Sequence, residues 1–458
     1  MASPYPLTPS SAAAPTFENV GATGGAPSLT HYTRQNAAGA NYDGFEHFVF
    51  GTQALEVGAS GGIRFLFDRA KGAFRAGRTG GSVWDNALRG TSSVAFGENT
   101  RASATHTSVG GGFNNVAEGP YCTVSGGSGN EATDDYTTVG GGQNNAAEFS
   151  GTIAGGLRNE VIGLASFVGG GEDNVGGSNP VHLATVVAGG STNSALEAYA
   201  TVSGGQINLA SANSSTVSGG NNNTASAASA TVGGGNTNGA SANSATVGGG
   251  NTNTASGGSA TVGGGNTNTA SGVGGTVPGG VGNICGGAGS LCAGRNARDG
   301  SFEGCFVFSD HSGSAVTAAA AREFRVRSAG GATFFSDNGM TTGVVLAASA
   351  SAWAAVCDRA VKENFVPLSP AGALERVVRL PLYEYNYIGA PPAHVYRGPT
   401  AQDWHALFPS GKDPLRIDTM DLDGVALAAI QGLAAKLERT EELMTQLRHD
   451  LDALRAAV

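Results

Sequence analysis

The stretch TVGGGNTNTASGGSA, residues 246–260, is one unit of a repeat that fills the middle of the chain. Most units are 15 residues long, and each places an apolar residue before a cluster of glycines. Fourteen such residues mark the units: Val94, Val109, Val124, Val139, Ile153, Val168, Val187, Val202, Val217, Val232, Val247, Val262, Val277 and Leu291. The one long interval contains SNPVHL at 178–183, which predicts a short loop. A fixed period of this length predicts a repeat architecture.

The unit has the composition of a β-solenoid coil, that is, one turn of the solenoid. It contains short β-compatible segments between glycine-rich corners and no helical stripe. One valine and a few alanines bury little apolar surface per coil, whereas ordering the coil costs much backbone entropy. The sequence therefore predicts that the solenoid is stable only as an oligomer. We also expect asparagine side chains to stack as ladders from coil to coil. The residues concerned are Asn236 and Asn238, Asn251 and Asn253, and Asn266 and Asn268.

The distribution of charge excludes several functions. Charged residues make up 13 % of the chain and the formal net charge is -10, so no surface for nucleic acid is predicted. Residues 198–294 contain no Asp, Glu, Lys, Arg or His. Acid–base catalysis and calcium binding need such side chains. This part of the chain is therefore predicted to be structural or to recognise ligands by shape.

The N-terminal sequence predicts no targeting signal. Its first basic residue is Arg34, and no continuous apolar segment precedes that residue. Apolar segments throughout the chain are shorter than the ~20 residues that cross a bilayer, so membrane insertion is not expected. We therefore expect a protein that is made in a cytoplasm without a signal peptide.

The five cysteines form an odd set that is scattered over the chain, which favours a reducing compartment over a disulfide framework. They are Cys122, Cys285, Cys292, Cys305 and Cys357. Cys285 and Cys292 are close in sequence, but neither a histidine nor a second cysteine pair accompanies them with zinc spacing. We expect both to pack in the core. No metal or other cofactor is predicted.

Differences in composition divide the rest of the chain into segments with different predicted structures. Residues 1–43 are rich in Pro, Ala, Ser, Thr and Gly, which predicts a flexible arm. Aromatic, strand-like runs predict a small β cap over 44–91, followed by the repeats over 92–294. Alternating segments over 295–356 predict a closing cap and a neck.

The last hundred residues gain charge and lose glycine. A compact α/β module is predicted over 357–424, with a helix at 370–380, and a coiled coil over 425–458. The alternative for the coiled coil is an amphipathic helix that packs on its own domain. The predicted seam has alternating spacings of three and four residues. It consists of Ile430, Leu433, Leu437, Thr440, Met444, Leu447, Leu451, Leu454 and Val458.

Two parts of the chain resemble known families. SSVAFGENTRASA at 92–104, followed by the V-x-G-G coils to about residue 294, resembles the head repeat of trimeric autotransporter adhesins. This resemblance implies a mainly β fold, a trimeric left-handed β-roll or β-solenoid.

The C-terminal part, from about Cys357 to Leu447, resembles the endosialidase-type intramolecular chaperone domain of phage tail spikes and viral fibres. The resemblance rests on four motifs in order: CDRAVKEN at 357–364, YEYNY at 383–387, GPTAQD at 398–403 and DLDGVALAAIQGLAAKL at 421–437.

This second resemblance implies a self-cleaving pair. In the family a serine followed by an aspartate, with a lysine at the fifth position, forms a catalytic dyad. Asp358 and Lys362 match the aspartate and the lysine, whereas Cys357 takes the place of the serine. A thiol needs less activation than a hydroxyl because it ionises more easily beside a cation. We expect Cys357 as nucleophile, Lys362 as base and Asp358 in support. The alternative is a chaperone that never cleaves, in which Cys357 only fills the serine's space.

Together these features predict a homotrimeric viral or phage tail fibre or spike on the virion surface. It would attach to a host surface receptor or glycan. One alternative is a spike enzyme that degrades polysaccharide, for which only residues 100–197 carry enough carboxylates. Another alternative is a cellular surface adhesin.

Overall fold

The computed structural model describes residues 29–31, 47–51, 62–410 and 412–457. Most of the predicted arm, and Val458 at the end of the predicted seam, therefore lie outside the described residues. Two compact units are present: one runs to Ala332 and includes Ala347–Ser351, and the other comprises Thr333–Leu346 and Ala352–Val458.

The first unit begins with an antiparallel meander on which the solenoid is built. Its strands are β1 (Leu29–His31), β2 (His47–Gly51), β3 (Gly62–Asp68) and β4 (Ala73–Thr79). Each pairs antiparallel with the next. β4 then pairs parallel with Val94–Glu98, so the meander serves as the first layer under the coils.

Buried side chains close the solenoid at this end. The guanidinium of Arg75 donates hydrogen bonds to the carbonyl oxygens of Ser93 (3.0 Å) and Ala102 (2.7 Å). The indole of Trp84, in the 3-10 helix Ser82–Trp84, donates to the carbonyl of Thr100 at 2.7 Å. A second 3-10 helix spans Asn86–Leu88. The carbonyls of Ser93 and Ala102 also accept backbone N–H groups, from Phe74 and Gly90, so Arg75 adds a second hydrogen bond to each. Buried carbonyls at the end of the stack are thus paired.

Two parallel sheets form the walls of the solenoid, and most coils contribute one short strand to each. The first sheet contains Val94–Glu98, Ser108–Val109, Thr123–Val124, Thr138–Val139, Thr152–Ile153, Phe167–Val168, Val186–Val187, Thr201–Val202, Thr216–Val217, Thr231–Val232, Thr246–Val247, Thr261–Val262, Thr276–Val277, Gly280–Val281, Leu291–Arg295, Phe306–Ser309 and Phe324–Arg327. The second contains Arg101–Ala102, Val116–Ala117, Glu131–Ala132, Ala146–Ala147, Glu160–Val161, Val175–Gly176, Ser194–Ala195, Leu209–Ala210, Thr224–Ala225, Gly239–Ala240, Thr254–Ala255, Thr269–Ala270, Ile284–Cys285, Ala297–Arg298 and Val316–Thr317.

In most two-residue strands the second residue points inward, because successive side chains of a strand alternate between its faces. The exceptions lie at the far end of the solenoid: Gly280–Val281, Ala297–Arg298 and Val316–Thr317. In the coil at 246–260, Val247 and Ala255 are buried, and they pair in register with Val262 and Ala270 of the next coil. The predicted mainly β fold, a solenoid with a spacing of about 15 residues, is confirmed.

The predicted alignment was wrong by one residue in its first and last units. Ala95, not Val94, pairs with Val109 and is fully buried. Leu291 pairs with Thr276, which leaves Cys292 as the inward residue. The prediction placed the apolar residue before each glycine cluster in the interior. In the first and last units, the smaller residue that follows it fills the narrow interior.

A column of buried asparagines runs through the coils. The amide nitrogen of Asn238 donates to the carbonyl of Gly234 in its own coil (2.8 Å) and to that of Gly250 in the next (2.9 Å). Its amide oxygen accepts the backbone N–H of Asn253 at 2.9 Å. The column consists of Asn115, Asn130, Asn145, Asn159, Asn174, Asn193, Asn208, Asn223, Asn238, Asn253, Asn268 and Asn283.

A second ladder runs along the surface. The amide of Asn236 donates to the side-chain oxygen of Asn221 at 3.1 Å, and that of Asn251 donates to Asn236 at 3.4 Å. The prediction of asparagine ladders is confirmed. The buried ladder differs from the expected stack, because its bonds go mainly to the backbone.

The second unit contains the helices. Strands Gly331–Phe335, Gly343–Ala347 and Ala354–Ala355 belong to one sheet, and a 3-10 turn follows at Arg359–Val361. Then come α1 (Pro370–Arg379), a hairpin of Tyr383–Tyr385 and Tyr396–Gly398, α2 (Ala401–Leu407) and α3 (Thr419–Ala457). None of the helices in the described residues is long and apolar enough to cross a membrane.

The start of α1 is fixed by Ser369, whose hydroxyl accepts the N–H of Gly372 at 3.2 Å, and by Pro370 in the first turn. α1 packs closely against α3. A Cβ on Gly432 of α3 would lie 2.2 Å from the carbonyl oxygen of Pro370, so only glycine fits at this crossing.

We predict that Asn238→Ala destabilises the solenoid strongly, because it removes two donors and leaves the buried N–H of Asn253 without its acceptor. The expected loss is about 2–4 kcal/mol in the free energy of unfolding per chain, measured by denaturant titration. Asn236→Ala, in the same coil but on the surface, is the matched control and should change it by less than about 0.5 kcal/mol. Equal effects would contradict a dominant role for the buried ladder.

A pair of glycines in two neighbouring coils allows a second test. Gly250 has a φ of +89°, and a Cβ there would lie 2.2 Å from the carbonyl oxygen of Gly265. We expect Gly250→Ala to prevent correct stacking and to lower the thermal midpoint. Gly239 lies in a strand and has open space where a Cβ would point, so Gly239→Ala should be neutral or stabilise by up to about 1 kcal/mol. A stable Gly250→Ala solenoid would contradict the close approach of the coils.

Candidate functional site

The predicted dyad lies directly after a strand. Ala354–Ala355 pairs antiparallel with the strand Gly343–Ala347, and the N–H of Val356 donates to the carbonyl of Gly343 at 2.9 Å. The chain is therefore held by backbone bonds up to the residue before Cys357.

A single tight turn then brings Cys357 and Lys362 together. The carboxylate of Asp358 accepts the N–H of Ala360 at 2.9 Å and so caps the 3-10 turn Arg359–Val361. The N–H of Lys362 donates to the carbonyl of Arg359 at 3.2 Å. With this turn between them, the ammonium nitrogen of Lys362 lies 2.8 Å from the sulfur of Cys357.

The structure thus brings two of the three predicted site residues into contact. Asp358, expected to support the dyad, caps the turn between them. Its role in cleavage stays a prediction. Arg359 is held by its own contact, with the guanidinium 4.4 Å from the ring centroid of Phe365. Such a contact is a cation–π interaction and adds to the order of the turn.

The contact between Cys357 and Lys362 has the chemistry of an activated nucleophile. A lysine in hydrogen-bond range can take the thiol proton or stabilise the thiolate as an ion pair. Both side chains are exposed in the single chain. The other four cysteines are buried, so Cys357 is the cysteine of the described residues that solvent reaches.

The sequence motifs downstream of the dyad have structural roles that were not predicted. The hydroxyl of Thr400 accepts the N–H of Asp403 at 3.2 Å and lies 2.7 Å from the carboxylate of Asp403, which caps the start of α2. The pKa of Tyr383 is raised, first by desolvation and then by the charge and hydrogen bond of Asp403. The Thr-x-x-Asp spacing in GPTAQD is the capping signal that could have indicated this.

Carboxylates also gather on the solenoid, in the part to which the enzyme alternative was assigned. The pKa of Glu148 is raised, first by burial and then by the charges of Asp134, Glu160 and Glu131. Glycoside hydrolases use a carboxylic acid with a raised pKa. A group of carboxylates is equally usual on a solvated surface, and it supports no second function here.

Comparison with known proteins agrees with the C-terminal motifs. Residues 357–411 match the family Peptidase_S74, described as chaperone of endosialidase. No curated protein matches the chain. A solenoid followed by a chaperone domain of this kind fits a tail-spike-like or fibre-like protein. The C-terminal part of this chain is an endosialidase-type chaperone domain, as the motifs predicted. The match ends near α2, whereas the resemblance was expected to extend to Leu447.

Proposed function

We propose that this chain is the subunit of a homotrimeric viral or phage fibre or spike, made in the host cytoplasm and carried on the virion surface. Its C-terminal domain would act as an intramolecular chaperone that folds the trimer. The solenoid would be the shaft that reaches a host receptor or glycan. The observation that carries this proposal is an unpartnered apolar seam on the helix that follows the chaperone domain.

The seam lies on α3 and begins within the short stretch that packs against α1. The buried residues of α3 are Ala428, Ala429 and Gly432. Seven members of the predicted heptad seam are large apolar side chains with roughly half or more of their surface exposed in the single chain. They are Ile430, Leu433, Leu437, Met444, Leu447, Leu451 and Leu454. Identical helices would cover this seam in a coiled coil, which favours the coiled coil over a helix that packs only on its own domain.

A second apolar surface supports the same assembly. On the strands Phe306–Ser309 and Phe324–Arg327, the outward side chains Phe306 and Phe324 stack with ring centroids 4.9 Å apart. Phe308 and Val326 lie beside them and are also exposed. A soluble sheet normally presents polar residues outward, so an aromatic outer face indicates a surface that another chain covers.

In this proposal the chain has six parts. They are an attachment arm (1–43), a β cap (44–91), the solenoid (92–294), a closing cap and neck (295–356), the chaperone domain (357–424) and the coiled coil (425–458). Parallel pairing to Val94–Glu98 at one end and to Phe324–Arg327 at the other supports caps that continue the stack of the solenoid.

We predict that the chaperone domain is required for folding. A chain that ends at Val356 should yield aggregated or disordered protein, because three similar repeat arrays have lost the element that aligns them. Analytical ultracentrifugation and circular dichroism of this truncated chain and of the full chain provide the measurement. Soluble, heat-resistant trimers of the truncated chain would contradict the chaperone role. A folded monomer of the full chain would contradict the trimer.

The dyad supports a further element of the proposal, namely that the chaperone releases itself. The thiolate of Cys357 would attack the carbonyl carbon of Val356 through a five-membered ring. The peptide C–N bond breaks, the leaving amine takes a proton from Lys362, and water then hydrolyses the thioester. Attack on the carbonyl of Cys357 itself would need a strained four-membered ring, so the preceding bond is favoured.

We predict one cut per chain, after trimerisation. The released piece would contain 102 residues (357–458) if the cut precedes Cys357, or 101 residues (358–458) if it follows. Intact-mass spectrometry of assembled trimers measures this directly. Cys357→Ala and Lys362→Ala should leave full-length chains, because each removes one partner of the dyad. Cys357→Ser should still cleave.

The control is Lys436→Ala, which removes an exposed lysine of α3 outside the dyad and should cleave normally. Full-length chains in every wild-type trimer would mean that Cys357 only fills space and that the domain is a chaperone alone.

A further inference from the structure

The far end of the solenoid interior holds three side chains unlike those elsewhere in its core. Nearly every inward position of the two sheets is Val, Ile, Ala or Gly. The exceptions at this end are Cys285, Cys292 and Asp299, all fully buried. One sulfur from each cysteine and one carboxylate oxygen of Asp299 all lie within 4.8 Å of one another.

The register of the coils explains why these residues meet. Cys285 follows Ala270 in the inward column of the second sheet. Ile284 pairs with Arg298, so Asp299 follows Cys285 in the same column one coil later. Cys292 occupies the inward column of the opposite sheet, after Val277.

We propose that Cys285, Cys292 and Asp299 form a structural binding site for a divalent ion of the zinc class. Two thiolates and one carboxylate are ligands that zinc takes, whereas calcium and magnesium take oxygen alone. Zinc–sulfur bonds of about 2.3 Å place two sulfurs on one ion at most about 4.6 Å apart. The observed separations therefore need little adjustment to admit the ion.

Asp299 is already oriented as a ligand. Its carboxylate accepts the N–H groups of Gly286 (2.9 Å), Ser301 (2.9 Å) and Gly287 (2.6 Å). These bonds fix the carboxylate in the way that outer-shell donors fix metal ligands. A buried carboxylate in an apolar interior is costly, and a cation beside it offsets that cost.

The thiols would lose their protons on binding. The Cys285 thiol donates to the carbonyl of Ser290 at 3.0 Å, and the Cys292 thiol donates to that of Ile284 at 3.2 Å. Two protons would leave as one ion enters.

The position suggests what the ion would do. The buried asparagine ladder ends at Asn283, and its next position is Ala297, which has no amide to clamp the following coil. The cluster begins two residues after the end of the ladder. An ion held by Cys285, Cys292 and Asp299 would tie three successive segments together where the ladder stops.

The test uses the full chain in a Cys357→Ala background, which removes the exposed thiol. The matched variant adds Cys285→Ala and Cys292→Val, the residues that neighbouring coils carry at these positions, so the packing is retained. Both proteins are refolded with zinc chloride, dialysed, and measured by elemental mass spectrometry. Refolding with cobalt chloride adds a spectroscopic measurement, since thiolate ligands give charge-transfer absorption in the near ultraviolet.

We expect about one zinc per chain in the parent and none in the Ala/Val variant, with both proteins folded by circular dichroism. Chelator should lower the thermal midpoint of the parent only. Three outcomes would overturn the proposal: equal and negligible zinc in both proteins, zinc retained by the variant, or a Cys285–Cys292 disulfide in the parent detected by mass. None of these outcomes bears on the trimer or on cleavage at Cys357.

Discussion

Each buried asparagine of the ladder joins its own coil to the next through side-chain bonds that few other residues could make. It needs two N–H donors aimed at carbonyls in its own coil and the next, and one acceptor for the following backbone N–H. Aspartate lacks the donors and glutamine is one methylene too long. The carbonyl that it reaches in the next coil belongs to a glycine whose left-handed backbone leaves no room for a Cβ, such as Gly250. Asparagine and glycine are thus required together at each corner of this kind.

The same regularity creates a problem for assembly. The sequence TVGGGNTN occurs at 231–238, 246–253 and 261–268, so these coils are nearly identical in sequence. Three chains shifted by one coil would keep most of their bonds, which makes register weakly specified within the solenoid. The C-terminal domain contains varied side chains and a long helix, which would specify one alignment in the proposed trimer. Such a domain would therefore align the coils of neighbouring chains, which the repeat sequence alone does not do.

Local periodicity was enough to predict the solenoid, because every coil repeats the same period of apolar and glycine residues. It failed where the period ends: Ala95 and Cys292 were missed as internal residues, since small side chains beside Val94 and Leu291 gave no signal. Asp299 was not singled out because a carboxylate is expected on the surface. The contact of Cys357 with Lys362 followed from their spacing and the family motif, whereas the capping role of Asp358 depends on backbone geometry. What covers the seam of α3 stays a prediction, because exposure in one chain does not identify the partner.

Cleavage by the candidate dyad has two requirements: the correct geometry of the two side chains and an environment that excludes water. Its geometry comes from a single capped turn and a strand end, so the contacts that form it are local in sequence. Its environment is open, since both side chains are exposed and water competes for the proton that must be transferred. Assembly would therefore contribute desolvation rather than alignment, because walls supplied by neighbouring chains exclude water from a pair already in contact. The contact between Cys357 and Lys362 can therefore form early in folding, whereas cleavage would follow only after assembly.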